Sequence, residues 1–302
     1  DQVREDSLAE HTFFGVPLLT NDWIKRRLSM SLAALGKRYN QEFNIETDTQ
    51  RRFELFLCNS ASANILNGIK TDVVKELSHY ANAYGAGRTL ARKLLSAVSA
   101  LEPVCANNLL MAYGWYDSIL QQCADDIAAA NEKIRMLQEQ MAQMDTQNRK
   151  SYMRHDIDQI QGVLDALSGL RINDEDKSLL QSKVLMVTGD AGMGKSQMFA
   201  ETARNCVGQS DAVILMLGGS FLNSDPIGTQ IVNILGLGCS FDAFLDKLEG
   251  LAERADKYSY IMIDALNECG NKKVWMNNIV QLIQQLSDYK RIKIAISLRT
   301  GY

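Results

Sequence analysis

The feature that most restricts the fold of this chain is the segment 189–196, which reads GDAGMGKS. The segment fits the pattern G-x-x-x-x-G-K-[ST] in full, and it stands between a short apolar run, Val184–Thr188, and a helical pattern that begins near Lys195. A strand, a glycine-rich turn and a helix in this order direct backbone N–H groups and a helix N-terminus toward one point. The segment therefore predicts a loop that binds phosphate groups.

Each residue type in this loop has a physical role. Lys195 is expected to reach the β- and γ-phosphates, and the Ser196 hydroxyl is expected to coordinate Mg²⁺. Glycines leave room for inward-facing N–H groups because they have no Cβ; here they are Gly189, Gly192 and Gly194. The prediction is a P-loop that binds ATP with Mg²⁺ through Gly189, Asp190, Ala191, Gly192, Met193, Gly194, Lys195, Ser196 and Gln197.

A second apolar run, Tyr260–Ile263, ends in Asp264 and has the pattern of a Walker B strand. We predict that Asp264 holds Mg²⁺. The alternative is an ordinary buried strand that ends in aspartate before a turn. Many hydrolytic P-loop enzymes carry a glutamate directly after this aspartate, but here Ala265 follows. The next acid, Glu268, is our candidate for orienting the attacking water, and the alternative is a solvated glutamate with slow or absent turnover.

A third apolar run, Ile294–Leu298, is followed by Arg299. A cation at the end of a strand beside the Walker B strand can sense the γ-phosphate and stabilise its charge. The alternative is a surface arginine beyond a strand end. The predicted catalytic residues are therefore Lys195, Glu268 and Arg299, and the predicted metal ligands are Ser196 and Asp264.

Strands and helices alternate after about residue 180, which predicts a parallel sheet with flanking helices. The four predicted strands are Val184–Thr188, Ala212–Leu217, Tyr258–Ile263 and Ile292–Leu298. One predicted helix starts near Lys195, and three more cover 226–235, 241–256 and 275–286. The fold class expected from these patterns is an α/β P-loop NTPase preceded by an all-α domain.

The first part of the chain reads as helical. A first helix is expected after Thr20, with Ile24, Leu28, Leu32 and Leu35 on one face and a stop at Gly36. Further helices are expected over about 47–80 and 87–101. We predict a linker at 1–19, a helical domain at 20–172 and the NTPase domain at 173–302. We expect an excerpt of a longer protein, because the chain lacks an initial Met and stops directly after a predicted core strand.

Two heptad-like seams occupy the end of the helical part. The first seam runs from Leu120 to Met144 and the second from Ile157 to Leu167, with a polar stretch between them. Two helices joined in this way can pack as an antiparallel hairpin within one chain. The alternative reading is an intermolecular coiled coil.

Composition excludes little. The net charge of −4 and the pI of about 5.5 argue against a chain dominated by nucleic-acid binding, which needs a basic face. None of the six cysteines forms a CxxC pair, so we expect reduced thiols in a cytoplasmic protein rather than a structural zinc site. No apolar run approaches the roughly 20 residues that a membrane helix requires, and we expect no membrane contact.

The motifs together resemble the STAND class of P-loop NTPases, and within it the bacterial antiviral STAND proteins of the AVAST (Avs) group. The resemblance rests on GDAGMGKS, ILMLGGSF at 214–221, YIMIDALNE at 260–268 and IAISLRT at 294–300. A more distant segment, LGKRYNQEFNIETDT at 35–49, is similar to one at the start of the helical region of these proteins. The resemblance covers about 20–302 and is strongest over 183–302.

This resemblance implies an ATP-dependent switch with an ASCE-type parallel sheet. Proteins of this group sense a phage protein through C-terminal repeats, assemble into a homo-oligomer, typically a tetramer, and activate an N-terminal effector. Any contact with nucleic acid would come only through such an effector. The effector, the winged-helix domain and the sensor repeats of the family are not recognisable in this sequence. Asn267 departs from related NACHT proteins, which often have aspartate there.

Two other functions remain open from the sequence. A motor-type ATPase, such as a helicase or an AAA+ remodeller, would usually show an acid beside Asp264 and sustained turnover. A scaffold propped by nucleotide would keep its function in Glu268→Ala. The resemblance favours a slow, regulatory ATPase over both.

Overall fold

The computed structural model describes residues 19–40, 47–143 and 147–300, without the side chains of residues 147 and 277. The predicted linker, apart from Leu19, lies outside this range. So do residues 41–46 of the segment 35–49 and Met144 at the end of the first seam.

Helices dominate the described chain, and four strands form one small sheet. The longer helices are α1 (Asn21–Leu35), α2 (Asp48–Leu57), α3 (Ser60–Asn82), α4 (Arg88–Ala100), α5 (Trp115–Gln122), α6 (Ala124–Ala142), α7 (Gln147–Ser168), α8 (Asp174–Gln181), α9 (Lys195–Gly208), α10 (Ile227–Ile234), α11 (Phe241–Ala255) and α12 (Lys272–Ser287). The strands are β1 (Val184–Gly189), β2 (Ala212–Leu217), β3 (Ser259–Asp264) and β4 (Ile292–Arg299). Short 3-10 helices occupy Gly36–Arg38, Leu109–Gly114, Gly218–Ser220 and Leu266–Glu268.

Local sequence signals explain where the first helix begins and ends. The Thr20 side chain accepts a hydrogen bond from the Trp23 N–H at the start of α1, and Gly36 adopts a positive φ of 54° at its end. Glycine tolerates that angle because it has no Cβ. The predicted helix after Thr20 is confirmed, with Ile24, Leu28 and Leu35 buried.

The predicted helix over 47–80 is wrong in one respect, because the structure divides it into α2 and α3. Cys58 adopts a left-handed conformation with φ 54° and ψ 45°, which ends α2. A left-handed residue cannot continue a right-handed helix. Cysteine carries no sequence signal for such a break, so the two helices read as one.

The sheet is parallel throughout, with the strand order β1-β4-β3-β2. All four strands occur where the sequence predicts them, within a residue at either end. The strand β3 is buried along its whole length, as expected for a parallel sheet covered on both faces. Because the strands are parallel, their carboxyl ends all lie at one edge of the sheet.

Chain contacts divide the protein into two compact units. Among the described residues, one unit combines those up to Asn59 with those from Gln181 onward, and the other contains those from Ser60 to Leu180. The sequence predicts one helical domain at 20–172, whereas the structure groups α1 and α2 with the sheet. Their apolar side chains explain the difference: Leu28, Phe53 and Phe56 share one core cluster with Phe199 and Tyr260 of the sheet unit.

The unit Ser60–Leu180 is helical, and α6 packs against α7 within it. The described residues of the first seam from Ile127 to Met141 are buried or half-buried, while most of their neighbours are exposed. In α7 the buried seam residues include Ile157, Ile160 and Leu167. The two helices that carry the seams thus contact each other within this chain. Across the described ranges, no helix has both the length and the apolar character needed to cross a membrane.

Candidate functional site

Three strand ends bring the predicted site residues together. Since β4 lies between β1 and β3, the loop after β1, Asp264 at the end of β3 and Arg299 at the end of β4 lie at one edge of the sheet. The register pairs Gly189 with Arg299, and Ile263 with Ile296. Sequence positions more than 100 residues apart therefore line one site.

The predicted phosphate loop joins β1 to α9. Gly189 is the last residue of β1, and Lys195 is the first residue of α9. Gly192 and Gly194 have φ angles of 83° and 77°, which L side chains rarely adopt. The loop therefore needs glycine at these two positions, and Gly194 directly precedes the helix N-terminus. This geometry points the first N–H groups of α9 toward the cavity described below.

The Lys195 ammonium lies against its own loop. Its Nζ donates hydrogen bonds to the carbonyl oxygens of Gly189, at 2.5 Å, and Asp190, at 2.7 Å. The Asp190 carboxylate in turn accepts a hydrogen bond from the Thr300 hydroxyl just beyond β4. Two carbonyl oxygens of the loop thus hold the Lys195 ammonium near the end of β1.

Asp264 is fully buried at the end of β3. Its Oδ1 accepts a hydrogen bond of 2.6 Å from the Ser297 hydroxyl of β4. Its Oδ2 is also buried and has no hydrogen-bond partner among the described protein atoms. Burying a carboxylate oxygen without a partner is costly, so this oxygen fits a cation or an ordered water. Asp264 and Ser196 line the same cavity, and together they are suited to Mg²⁺, which usually takes one or two protein oxygens plus phosphate and water.

The turn after Asp264 has an unusual backbone. Ala265 adopts the left-handed conformation, with φ 54° and ψ 51°, and its N–H donates to the Ser297 Oγ at 2.7 Å. The carbonyl oxygen of Ala265 would lie only 2.1 Å from a Cβ added at Gly218, so the turn after β2 must have glycine there. These contacts set the direction of the 3-10 helix that carries Glu268.

Glu268 lies between two arginines. The Arg38 Nη1 contacts both carboxylate oxygens, at 3.0 and 2.9 Å, and the Arg299 Nη2 lies 3.5 Å from Oε1. The three side chains are partly exposed, at 40% for Arg38, 31% for Glu268 and 42% for Arg299. The Arg299 backbone N–H also donates to the Asn267 Oδ1 at 3.2 Å. Two guanidinium groups, those of Arg38 and Arg299, therefore lie near the single carboxylate of Glu268.

The segment that carries Arg38 is attached to α9. Asn40 and Gln197 exchange two hydrogen bonds, each of 2.7 Å, between the Asn40 backbone and the Gln197 side-chain amide. The Tyr39 hydroxyl donates to Glu201 at 3.1 Å. Burial raises the pKa of Tyr39, and the Glu201 carboxylate raises this pKa further. Tyr39 is therefore a neutral donor, and Gln197, a predicted nucleotide-binding residue, also anchors this segment.

These residues surround a cavity of about 270 Å³. It is lined by Arg38, Ala191, Gly192, Met193, Gly194, Lys195, Ser196, Gln197, Asp264, Ala265, Asn267, Glu268, Ser297 and Arg299. The structure thus brings together all predicted site residues except Gly189 and Asp190. Those two line a neighbouring cavity of about 720 Å³, which shares the loop and extends to Thr47 and Thr300.

Sequence reasoning missed two residues of the site. Ser297 interrupts an otherwise apolar strand run, which is a signal that could have marked it. Arg38 lies in the segment 35–49 that resembles the STAND proteins, but nothing local distinguishes it from other surface arginines. Only the packing of α1 and the following turn on the sheet unit brings Arg38 to Glu268.

A scan against protein-family models gives no match for this chain, and a search of curated proteins finds no significant relative.

Proposed function

We propose that this chain contains a P-loop NTPase core that binds ATP with Mg²⁺ and hydrolyses it slowly, as a regulatory switch. The observation that carries the proposal is the convergence of three strand ends on one cavity. The glycine-rich loop with Lys195 comes from β1, Asp264 from β3, and Arg299 from β4. This set supplies donors for phosphate oxygens, a ligand for a divalent cation, and a cation for the developing charge.

In this proposal, cationic groups bind the phosphates and side-chain oxygens hold the metal ion. The N–H groups at the start of α9 and the Lys195 ammonium would bind phosphate oxygens. Lys195 would then give up its hydrogen bonds to the two loop carbonyl oxygens and donate to phosphate oxygens instead. Asp264 Oδ2 and the Ser196 hydroxyl would hold Mg²⁺, with Ser297 keeping the Asp264 carboxylate oriented. When bound, Mg²⁺ supplies positive charge that stabilises the phosphoryl transfer. Glu268 would orient the attacking water, and Arg299 would contact the terminal phosphate.

The arrangement around Glu268 favours a switch over a continuously working motor. Ala265, in a left-handed turn, follows Asp264 where many motors have glutamate. The next acid, Glu268, accepts a hydrogen bond from Arg38 on each of its two oxygens and lies close to Arg299. Turnover then depends on releasing this carboxylate, which suits a regulated ATPase.

The resemblance of the motifs to antiviral STAND NTPases extends this proposal to a biological role. On that basis the protein would act in the cytoplasm in defence against phage, sense a phage protein, and assemble into an oligomer that activates an effector. This role rests on the resemblance alone.

The test is calorimetric titration of the protein with ATP and Mg²⁺. Wild-type protein is expected to bind, and Lys195→Ala to weaken binding about tenfold or more, because charge-assisted bonds to phosphate are lost. The matched control is Lys247→Ala, which removes an exposed lysine of α11 and is expected to bind like wild type. In melting experiments, ATP at about 100 times its Kd should stabilise wild type by about 2.7 kcal/mol. Absence of binding by well-folded wild-type protein would refute the proposal.

A further inference from the structure

We infer that Arg38 is a second arginine for the terminal phosphate, and that its ion pair with Glu268 is a latch that a nucleoside triphosphate opens. The inference rests on the proposed function and deepens it. The sequence motifs provide one cation beyond the loop lysine, Arg299, whereas the structure provides two around the same acid.

The first support is position. Arg38 lines the same cavity as Lys195, Asp264 and Arg299. Three cationic and two acidic side chains therefore line it, and Mg²⁺ would balance the charge of the buried Asp264. A group with several anionic oxygens is the natural ligand for such a surplus of positive charge.

The second support is rigidity. The segment that carries Arg38 is held to α9 by the reciprocal Asn40–Gln197 hydrogen bonds and by the Tyr39–Glu201 hydrogen bond. Because α9 begins at the phosphate loop, the backbone of Arg38 keeps a fixed relation to any bound phosphate. A guanidinium on a fixed backbone binds phosphate with a smaller loss of conformational entropy than one on a free loop.

The third support is energetic. The Arg38 and Glu268 side chains are 40% and 31% exposed, and an exposed ion pair changes an equilibrium constant by about fivefold at most. A charge-assisted hydrogen bond to phosphate changes it by about tenfold to a hundredfold. Exchange of the Glu268 carboxylate for a terminal phosphate is therefore favourable for Arg38.

When Arg38 exchanges Glu268 for a terminal phosphate, the bound nucleotide controls whether the Glu268 carboxylate is available. While Arg38 contacts both oxygens of Glu268, the carboxylate cannot orient water well. When a γ-phosphate takes the guanidinium, Glu268 becomes free to accept a proton from water. A diphosphate lacks that group, so Arg38 stays with Glu268. Arg38 thus discriminates triphosphate from diphosphate and couples the site to the segment Gly36–Asn40.

The experiment compares affinities for the Mg²⁺ complexes of the β,γ-imido analogue of ATP and of ADP, measured by calorimetry on the full chain. In Arg38→Gln the ratio of triphosphate to diphosphate affinity is expected to fall about tenfold or more, with ADP affinity within about twofold of wild type. Arg38→Lys should recover part of the ratio. The matched control is Lys37→Gln, which removes the adjacent exposed charge outside the cavity and should leave the ratio unchanged.

A structural role for the ion pair would give another result. Arg38→Gln would then lower the melting temperature and reduce the affinities for both nucleotides equally, or it would change neither affinity. Either outcome overturns the inference, while the proposed function survives. If Arg38→Gln does not fold, Glu268→Gln decides, since freeing Arg38 should tighten triphosphate binding without changing ADP binding. Equal or weaker triphosphate binding in that variant also overturns the latch. Wild-type protein that binds neither nucleotide overturns both proposals.

Discussion

Lys293 illustrates at the scale of one residue how the core includes a cation. This side chain of β4 is only 3% exposed. Its Nζ donates to the Phe56 carbonyl oxygen at 2.8 Å, lies 3.1 Å from the Cys58 Sγ, and stands over the Phe56 and Tyr258 rings at 4.8 and 5.0 Å. Burial lowers the pKa of Lys293, and Cys58 opposes this shift in part.

The lowered pKa of Lys293 predicts a pH dependence of stability. Between the folded-state pKa and the unfolded value of about 10.5, the unfolded chain binds more protons, so the free energy of unfolding rises with pH. In Lys293→Met this contribution disappears. Wild type is therefore expected to gain stability relative to Lys293→Met as the pH rises toward the unfolded value, as measured by urea denaturation at a series of pH values.

The exposed Lys247 provides the control for this measurement. Lys247→Met makes the same replacement at an exposed position of α11, and it controls for the loss of a lysine as such. A constant difference between wild type and Lys293→Met across the pH range would contradict the argument.

At the scale of elements, the close packing of two short 3-10 helices positions Glu268 in the candidate site. The helix Gly218–Ser220 follows β2, and the helix Leu266–Glu268 follows β3. They approach so closely that a Cβ at Gly218 would meet the Ala265 carbonyl oxygen at 2.1 Å, whereas a Cβ at Gly219 would meet nothing within 4 Å. Adjacent glycines therefore have different constraints.

This difference gives a paired prediction. Gly218→Ala is expected to lower the free energy of unfolding by about 1–3 kcal/mol, because backbone atoms must move apart. It should also reduce ATP hydrolysis by displacing Glu268. Gly219→Ala should change stability by less than about 0.5 kcal/mol. Urea denaturation and a turnover assay of both variants provide the check, and similar losses in the two variants would rule out the close approach.

At the scale of the whole molecule, one core is assembled from both ends of the chain. Phe53 of α2 is fully buried, and its ring stacks on Phe199 of α9 with centroids 4.9 Å apart. The helix α1 also contacts β2, where the Ser31 hydroxyl donates to the Leu215 carbonyl oxygen at 2.6 Å. The sheet unit is therefore incomplete without the residues before Asn59.

Because the core is shared, a substitution in α2 is expected to destabilise the sheet unit, although α2 is far in sequence from the glycine-rich loop 189–196. Phe53→Ala should cost about 3–5 kcal/mol through the cavity it leaves. It should also reduce the fraction of protein that binds ATP at 37 °C. Tyr84→Ala, at a side chain that is 94% exposed, should change stability by less than about 0.5 kcal/mol. Thermal unfolding with and without ATP measures both variants, and a neutral Phe53→Ala would contradict the shared core.

Much of the sheet unit could be predicted from sequence because its signals are local. Apolar runs identify β1 to β4, and the glycines around Lys195 mark a turn whose backbone angles other residues rarely adopt. The break at Cys58 could not be predicted, since cysteine has no strong preference for the left-handed region. The assignment of α1 and α2 also differed, because an amphipathic helix shows only that one face is buried, not which partner covers it.

The glycine-rich loop 189–196 and the positions of Asp264, Glu268 and Arg299 at or just beyond strand ends could be read from the sequence, because they depend on spacing along the chain. Three further features could be seen only in the folded chain: β4 lies between β1 and β3, Ser297 donates a hydrogen bond to Asp264, and Arg38 reaches Glu268. Those contacts join residues up to 230 positions apart. They depend on how helix faces and strand ends pack, and a local pattern cannot encode such packing.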